Sequence, residues 1–237
     1  MVTRRGPWPV GAPCWVTLGT DVDRAAAFYA AVLGWRVEPT GVGGHATAHL
    51  GAHRVAGLWP RQDPDAPAGW CTHLSAVDAK LDAARVEHAG GTLLVPPTTV
   101  WDLGSTALAA DPTGAVFALW QSGAHTGFEV AGEPGAVVWS EHRTPDPVCA
   151  KGFYTEAFGF TYQDDGSGDD LVSLDVGEPP VAAIGPGEGG WTTTFGVADL
   201  RGALAEVVRR GGQVRAAGEV VDDQGAVFRL REVPPGP

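Results

Sequence analysis

The sequence predicts an α+β protein made of two tandem copies of one unit, each a curved, mainly antiparallel sheet with helices on one face. Three observations carry this expectation: a long internal repeat, four helical runs bounded alike, and short strands filling the intervals. The repeat reads CWVTLGTDVDRAAAFYAAVLGW from Cys14 and VWSEHRTPDPVCAKGFYTEAFGF from Val138. Phe28-Tyr29 aligns with Phe153-Tyr154, and Gly34-Trp35 with Gly159-Phe160. Farther along, VAGL at 55–58 matches VAAI at 181–184, and Trp70 matches Trp191. Gly90-Gly91 matches Gly211-Gly212, and GAVF at 114–117 recurs at 225–228. The order is kept from end to end.

The first copy opens on a short apolar strand at Cys14. A helix follows with Val22, Ala26, Tyr29 and Leu33 on one face, Asp21 or Thr20 as its N-cap and Gly34 as its stop. An Asp at a helix start accepts otherwise unpaired N–H groups, and a Gly past the end adopts the left-handed turn. Strands are expected at 35–39, 46–51 and 55–59. A second helix runs from Asp78 through Leu81 and Ala84 to Gly90-Gly91, then strands at 91–95, 105–110 and 115–120. The second copy repeats this. One helix from near Asp146 carries Ala150, Tyr154, Ala157 and Phe158 to Gly159; another from Asp199 carries Leu200, Leu204, Val207 and Val208 to Gly211-Gly212. Strand, helix and three strands therefore recur four times. The expected domains are 12–122 and 136–233, joined by a polar, Gly-rich linker at 123–135. Gly212 to Asp222 is half the interval from Gly91 to Asp111, so the second copy is expected to lack a strand and its loop.

Composition narrows the function classes. The 237 residues hold 16 Lys and Arg against 28 Asp and Glu, a net charge of −12. Such a chain repels phosphate backbones, and no basic cluster offsets this, so nucleic acid is excluded as a partner. A content of 44% hydrophobic and 19% charged residues is that of a globular chain rather than a disordered one. The longest apolar stretch, 25–33, is far shorter than the ~18 residues of a membrane helix. Arg4 and Arg5 precede no apolar run, so no signal peptide is expected. Three cysteines without a CxxC pair suit a reducing cytoplasm. Walker, GxGxxG and GxSxG motifs are absent, leaving no sequence support for nucleotide or serine-hydrolase chemistry.

The elements FYAAVLGW, VAGL, Gly90-Gly91 and DPTGAVFALWQ, repeated as FYTEAFGF, VAAI, Gly211-Gly212 and DDQGAVFRLRE, resemble the vicinal-oxygen-chelate superfamily. This is the glyoxalase/bleomycin-resistance/dioxygenase fold, and the resemblance spans roughly 12–121 and 136–233. It is closest to tandem, two-domain glyoxalase-like members. It implies that each domain joins two βαβββ units into a cup-shaped sheet with helices outside. It also implies metal ligands, normally His, His and Glu, on cup-facing positions of the first, fifth and last strands. Here those positions fall on Trp15, Cys71 and Ala118, and in the second copy on Trp139, Thr192 and Arg229. A divalent ion needs three or four converging His, carboxylate or thiolate groups, so no metal or other cofactor is expected.

Strand alternation adds Thr17, His73 and Trp120 to the first cup, and Glu141, Thr194 and Arg231 to the second. His49 sits mid-strand with open facing. The expected ligand is an aromatic or polycyclic small molecule stacked among Trp15, Trp101 and Trp120, with Thr17, His49 and Trp139 as further binding residues. Single tryptophans serve ordinary core packing more often than ligand stacking. His73 is a candidate general base or a hydrogen-bonded core histidine. Glu141 is a candidate catalytic carboxylate or the partner of Arg229 and Arg231. His45, His53, His88, His125 and His142 read as peripheral. Sequestration of the ligand and an acid/base step on it both stay open, in a monomer or homodimer. The alternative is a metal-dependent lyase, isomerase or dioxygenase using His49, His73 and Glu141.

Overall fold

The computed structural model describes residues 2–61, 63 and 68–234. A two-residue strand, β1 (Val2–Thr3), precedes the first unit: β2 (Pro13–Thr20), α1 (Val22–Leu33), β3 (Arg36–Pro39), β4 (Ala46–Leu50) and β5 (His53–Pro60). The second unit is β6 (Gly69–Ala76), α2 (Ala79–His88), β7 (Thr92–Val100), β8 (Gly104–Ala110) and β9 (Val116–Ser122). After β10 (Val130–Ala131) come β11 (Val137–Thr144), α3 (Pro147–Phe158), β12 (Thr161–Asp164), β13 (Asp170–Ser173) and β14 (Ala182–Pro186). The last unit is β15 (Gly190–Val197), α4 (Leu200–Arg209), β16 (Gln213–Val214), β17 (Glu219–Val221) and β18 (Val227–Glu232).

The helix boundaries follow from capping chemistry. Asp21, Asp78, Asp146 and Asp199 each accept backbone N–H groups of the first turn. Gly34 and Gly159 end α1 and α3, both with φ of 73°, where a Cβ would be strained. In α2 and α4 the cap residues are Ala89 and Arg210, and the glycine turn comes one residue later.

Each copy forms one eight-stranded sheet, ordered β3-β4-β5-β2-β6-β9-β8-β7 and β12-β13-β14-β11-β15-β18-β17-β16. Each sheet thus joins two βαβββ units, the arrangement that the resemblance implies. The sheets are mixed, because the first and last strands of every unit lie side by side and parallel: β2 with β5, β6 with β9, β11 with β14, β15 with β18. No strand is missing from the second copy, contrary to the expectation from its length. The shortened interval is taken up by trimming β16 and β17 to two and three residues. In the first copy β7 extends to nine residues with Pro96 and Pro97 inside it, tolerated because this is the edge strand and its register shifts there.

The copies pack back to back through the helix-bearing faces of their sheets. Trp70 on β6 meets Phe195 on β15 with ring centroids 5.1 Å apart, and Trp35 meets Phe195 at 5.3 Å. Two matching polar triads cross the boundary. The Tyr29 hydroxyl donates to Asp222 Oδ2 at 3.0 Å and accepts from Trp70 Nε1 at 3.1 Å. The Tyr154 hydroxyl donates to Asp111 Oδ2 at 3.1 Å and accepts from Trp191 Nε1 at 2.7 Å. Among the described residues no helix is long and apolar enough to cross a membrane.

The segment between β9 and β11 is not a solvated tether. His125, Phe128 and Val130 are buried, and β10 pairs with β1. Arg54 clamps Glu129 at 2.7 Å. His125 and Phe128 from this polar, Gly-rich segment pack against Trp15 and close one end of the first cup.

Candidate functional site

Pairing across the central strands fixes which residues share the concave face of the first copy. Trp15 lies opposite His73, Thr17 opposite both Cys71 and Gly57, and His73 opposite Ala118. The Trp15 indole nitrogen lies 3.3 Å from where a Cβ on Gly57 would stand, so the ring reaches across to β5. Likewise the Trp59 indole crosses β2 above Gly19. The two glycines make room for the two indoles.

One end of this cup is closed. His125 packs edge-on against Trp15, with centroids 4.4 Å apart, and against Trp120 at 5.3 Å; Trp120 Nε1 donates to the His125 carbonyl at 2.9 Å. Trp15 and Trp120 are each only 5% exposed as a result. Toward the other end the floor opens: Gly57, Trp59, Cys71 and Leu108 are half-buried. The concavity is a trough with a sealed aromatic end.

His73 stands between the two regions. Its ring is 6.5 Å from that of Trp59 and 6.4 Å from that of Trp120. Its Nε2 shares a hydrogen bond of 2.9 Å with the Thr17 hydroxyl. Among the described residues its Nδ1 has no partner, and neither has Nδ1 of His125. Burial, then the nearby His125, drives the His73 pKa down to about 3. Burial, then Arg54, lowers that of His125 to about 4. Both imidazoles are therefore neutral near pH 7, each with one donor and one acceptor nitrogen. Burial pushes the Cys71 thiol up to about 12, which leaves it unreactive.

Other expected site residues are placed elsewhere. Trp101 is 63% exposed on the β7–β8 turn with φ of 46°. It takes no part in the ring contacts joining Trp15, His125 and Trp120. His49 lies on the outer strand β4, its Nδ1 3.6 Å from Glu38, and burial lowers its pKa. Glu141 and Trp139 belong to the other sheet. His49, His73 and Glu141 thus do not converge, and no three His, Cys, Asp or Glu among the described residues form a metal-binding group. The ligand-equivalent positions hold an indole, a protonated thiol and a methyl group, and the indole itself fills the space above Gly57. A metal does not fit here, and no step is derived through one.

Two residues escaped the sequence reading. Trp59 was legible: it lies two positions past Gly57 on β5, so alternation alone puts it in the cup. His125 was not, because it comes from a segment without periodicity. His142, expected at the periphery, is instead fully buried between the copies and shares a 2.7 Å hydrogen bond with Asp111.

In the second cup, Trp139, Glu141 and Arg143 on β11 face Thr192 and Thr194 on β15 and Arg229 and Arg231 on β18. Glu141 accepts from Arg229 at 3.0 Å and from Arg143 at 3.2 Å, and Arg143 also holds Asp169 at 2.6 Å. Two clefts lie outside both cups. One of about 550 Å³ is bounded by Asp21, Pro39, His45 and Arg61; one of about 340 Å³ lies between the copies at Leu33, Gly135 and Asp199.

A glyoxalase-like domain model matches residues 15–120. The chain is 32% identical to the anthracycline biosynthesis protein DauV of Streptomyces sp. (strain C5), over 98% of this chain and 96% of that one. It is 30% identical to the putative glyoxylase CFP32 of Mycobacterium bovis, over 98% of each. Among solved structures it is similar to the Mn(II)-bound glyoxalase from Novosphingobium aromaticivorans, with a TM-score of 0.65, 18% identity, and coverage of 96% and 88%.

Proposed function

Because the chain belongs to the glyoxalase-like family of the vicinal-oxygen-chelate superfamily, we propose that its first cup binds a planar, polycyclic aromatic molecule without a metal ion. One observation carries this reading: a half-exposed indole, Trp59, shares a concave face with two buried imidazole nitrogens that lack partners. Buried polar atoms are nearly always satisfied, so the Nδ1 atoms of His73 and His125 mark where a ligand's carbonyl or hydroxyl would dock. The similarity to a protein named for anthracycline biosynthesis supports the polycyclic class. Thr17 holds the His73 ring, Trp59 supplies the stacking face, and Trp15 and Trp120 form the closed end. His49 sits at the outer wall on β4. In this proposal residues 12–122 and 136–233 are the domains, and 123–135 is a packed connector.

His73 serves here as a neutral hydrogen-bonding group. A conjugate acid near pKa 3 makes a weak proton acceptor at neutral pH, which favours holding the ligand over acid/base turnover. Titration with an anthraquinone should quench tryptophan fluorescence saturably. Removing about 100 Å² of indole contact costs roughly 2.5 kcal/mol at ~25 cal/mol per Å². Trp59→Ala should therefore weaken binding more than tenfold, whereas Trp15, packed at the closed end, should cost stability as well when truncated. Wild-type affinity in Trp59→Ala, or no response to any polycyclic aromatic compound, would end the proposal.

A further inference from the structure

The second cup is the electrostatic opposite of the first. Equivalent positions carry Arg143 for Gly19, Arg229 for Ala118 and Arg231 for Trp120, while Glu141 replaces Thr17. With Asp169, and with Glu219 opposite Arg229 on β17 and paired to Arg215, the face and its rim hold four guanidiniums against three carboxylates on a chain of net charge −12. Arg143 and Arg229 are committed to Glu141 and Asp169. Arg231 is not: it is exposed, and among the described residues it has no carboxylate partner. Its guanidinium instead stands 5.9 Å from the centre of the half-exposed Trp139 ring. Beside them Thr194, opposite both Trp139 and Arg229, is 2% exposed with a hydroxyl that finds no partner among the described residues.

We infer that the second cup is a separate site for an aromatic carboxylate, the carboxylate held by Arg231 and the Thr194 hydroxyl and the ring laid on Trp139. A guanidinium offers two parallel donors that match a carboxylate, and an indole offers a flat face, so the pair reads charge and planarity together. Glu141 is the anchor that fixes Arg229 and Arg143 across the floor rather than a reacting group. The cup's trimmed outer strands, β16 and β17, leave it more open than the first, which suits a small ligand.

The test compares 2-naphthoate with its neutral isostere 2-naphthamide by equilibrium dialysis on the intact chain. Naphthoate should bind saturably, about tenfold or more tighter than the amide, and the advantage should shrink as salt rises. Arg231→Ala should abolish that advantage, Arg231→Lys should restore part of it, and Trp139→Ala should weaken naphthoate. Trp59→Ala, in the other cup, should leave the advantage intact. Arg231 is exposed, so its variants should melt like wild type and report binding alone. Equal binding of the two compounds, an advantage that survives Arg231→Ala, or one lost with Trp59→Ala would overturn the inference.

Discussion

His73 and His125 are held neutral by burial, and that has a consequence for stability. In the unfolded chain both titrate near the ordinary 6.5; in the fold their values are about 3 and about 4. The unfolded state therefore binds more protons throughout this interval, so stability is full above about pH 6.5 and is lost as pH falls toward 4. Each histidine contributes a slope of at most about 1.4 kcal/mol per pH unit. Thermal melts between pH 7 and pH 4.5 should show this fall, and His73→Gln or His125→Gln should flatten it. A melting temperature indifferent to pH in that range would contradict the burial of both rings. Trp120 differs from Trp59 in being packed, so Trp120→Ala should cost stability as well as affinity, by about 3–5 kcal/mol. Trp59→Ala should cost mainly affinity.

Helix α3 and strands β11 and β15 meet the first copy through the triad at Asp111, and the element scale shows how the repeat diverged. His142 occupies the position of Leu18, each lying between a parallel neighbour and a tryptophan-bearing strand. The first copy thus has Tyr29, Asp222 and Trp70; the second adds a histidine to Tyr154, Asp111 and Trp191. Burial raises the Asp111 pKa, but hydrogen bonds from His142 and Thr113 outweigh it and hold the carboxyl below its ordinary value. Asp222, without the histidine, is raised by burial. A lowered carboxyl pKa stabilises the fold above the unfolded value and is lost as pH falls through the folded one. His142→Leu should therefore move acid unfolding to higher pH, and Tyr154→Phe should cost about 1–3 kcal/mol by stranding the Trp191 N–H. Chemical denaturation at pH 7 and pH 4 measures both.

At the scale of the whole molecule, the copies share one buried boundary. Arg24 on α1 pairs with Asp223 of the other copy at 2.7 Å, and Trp35 Nε1 donates to the Gly135 carbonyl. The domain boundary is thus also hydrophobic core, with Trp70 and Phe195 in the same cluster as Phe28 and Phe228. Limited proteolysis should not release two independently stable halves by cutting near 123–135; recovery of two folded fragments would show that this core is dispensable. Because no three His, Cys, Asp or Glu among the described residues converge on a metal-binding group, prolonged chelation should leave the melting temperature and aromatic binding unchanged. A loss of either that zinc, nickel, manganese or iron restores would refute the metal-free reading.

The sequence alone determined the repeat, the four Asp-capped helices, the family and the residues that alternation puts on each concave face. These are local properties: a cap needs one side chain near one helix start, and facing has a period of two along a strand. Trp59 belongs to that legible set. What only the tertiary structure decided depends on segments distant in the chain meeting. His125 reaches Trp15 and Trp120 from an aperiodic connector, so no pattern announced it. Trp101 was expected to stack the ligand with Trp15 and Trp120, but a left-handed turn leaves it exposed. The parallel pairing within each unit, the survival of all eight strands in the second copy and the burial of His142 against Asp111 were likewise invisible. Each is fixed by which hydrogen-bonding edge or buried carboxylate the fold brings alongside, and spacing in sequence does not encode that.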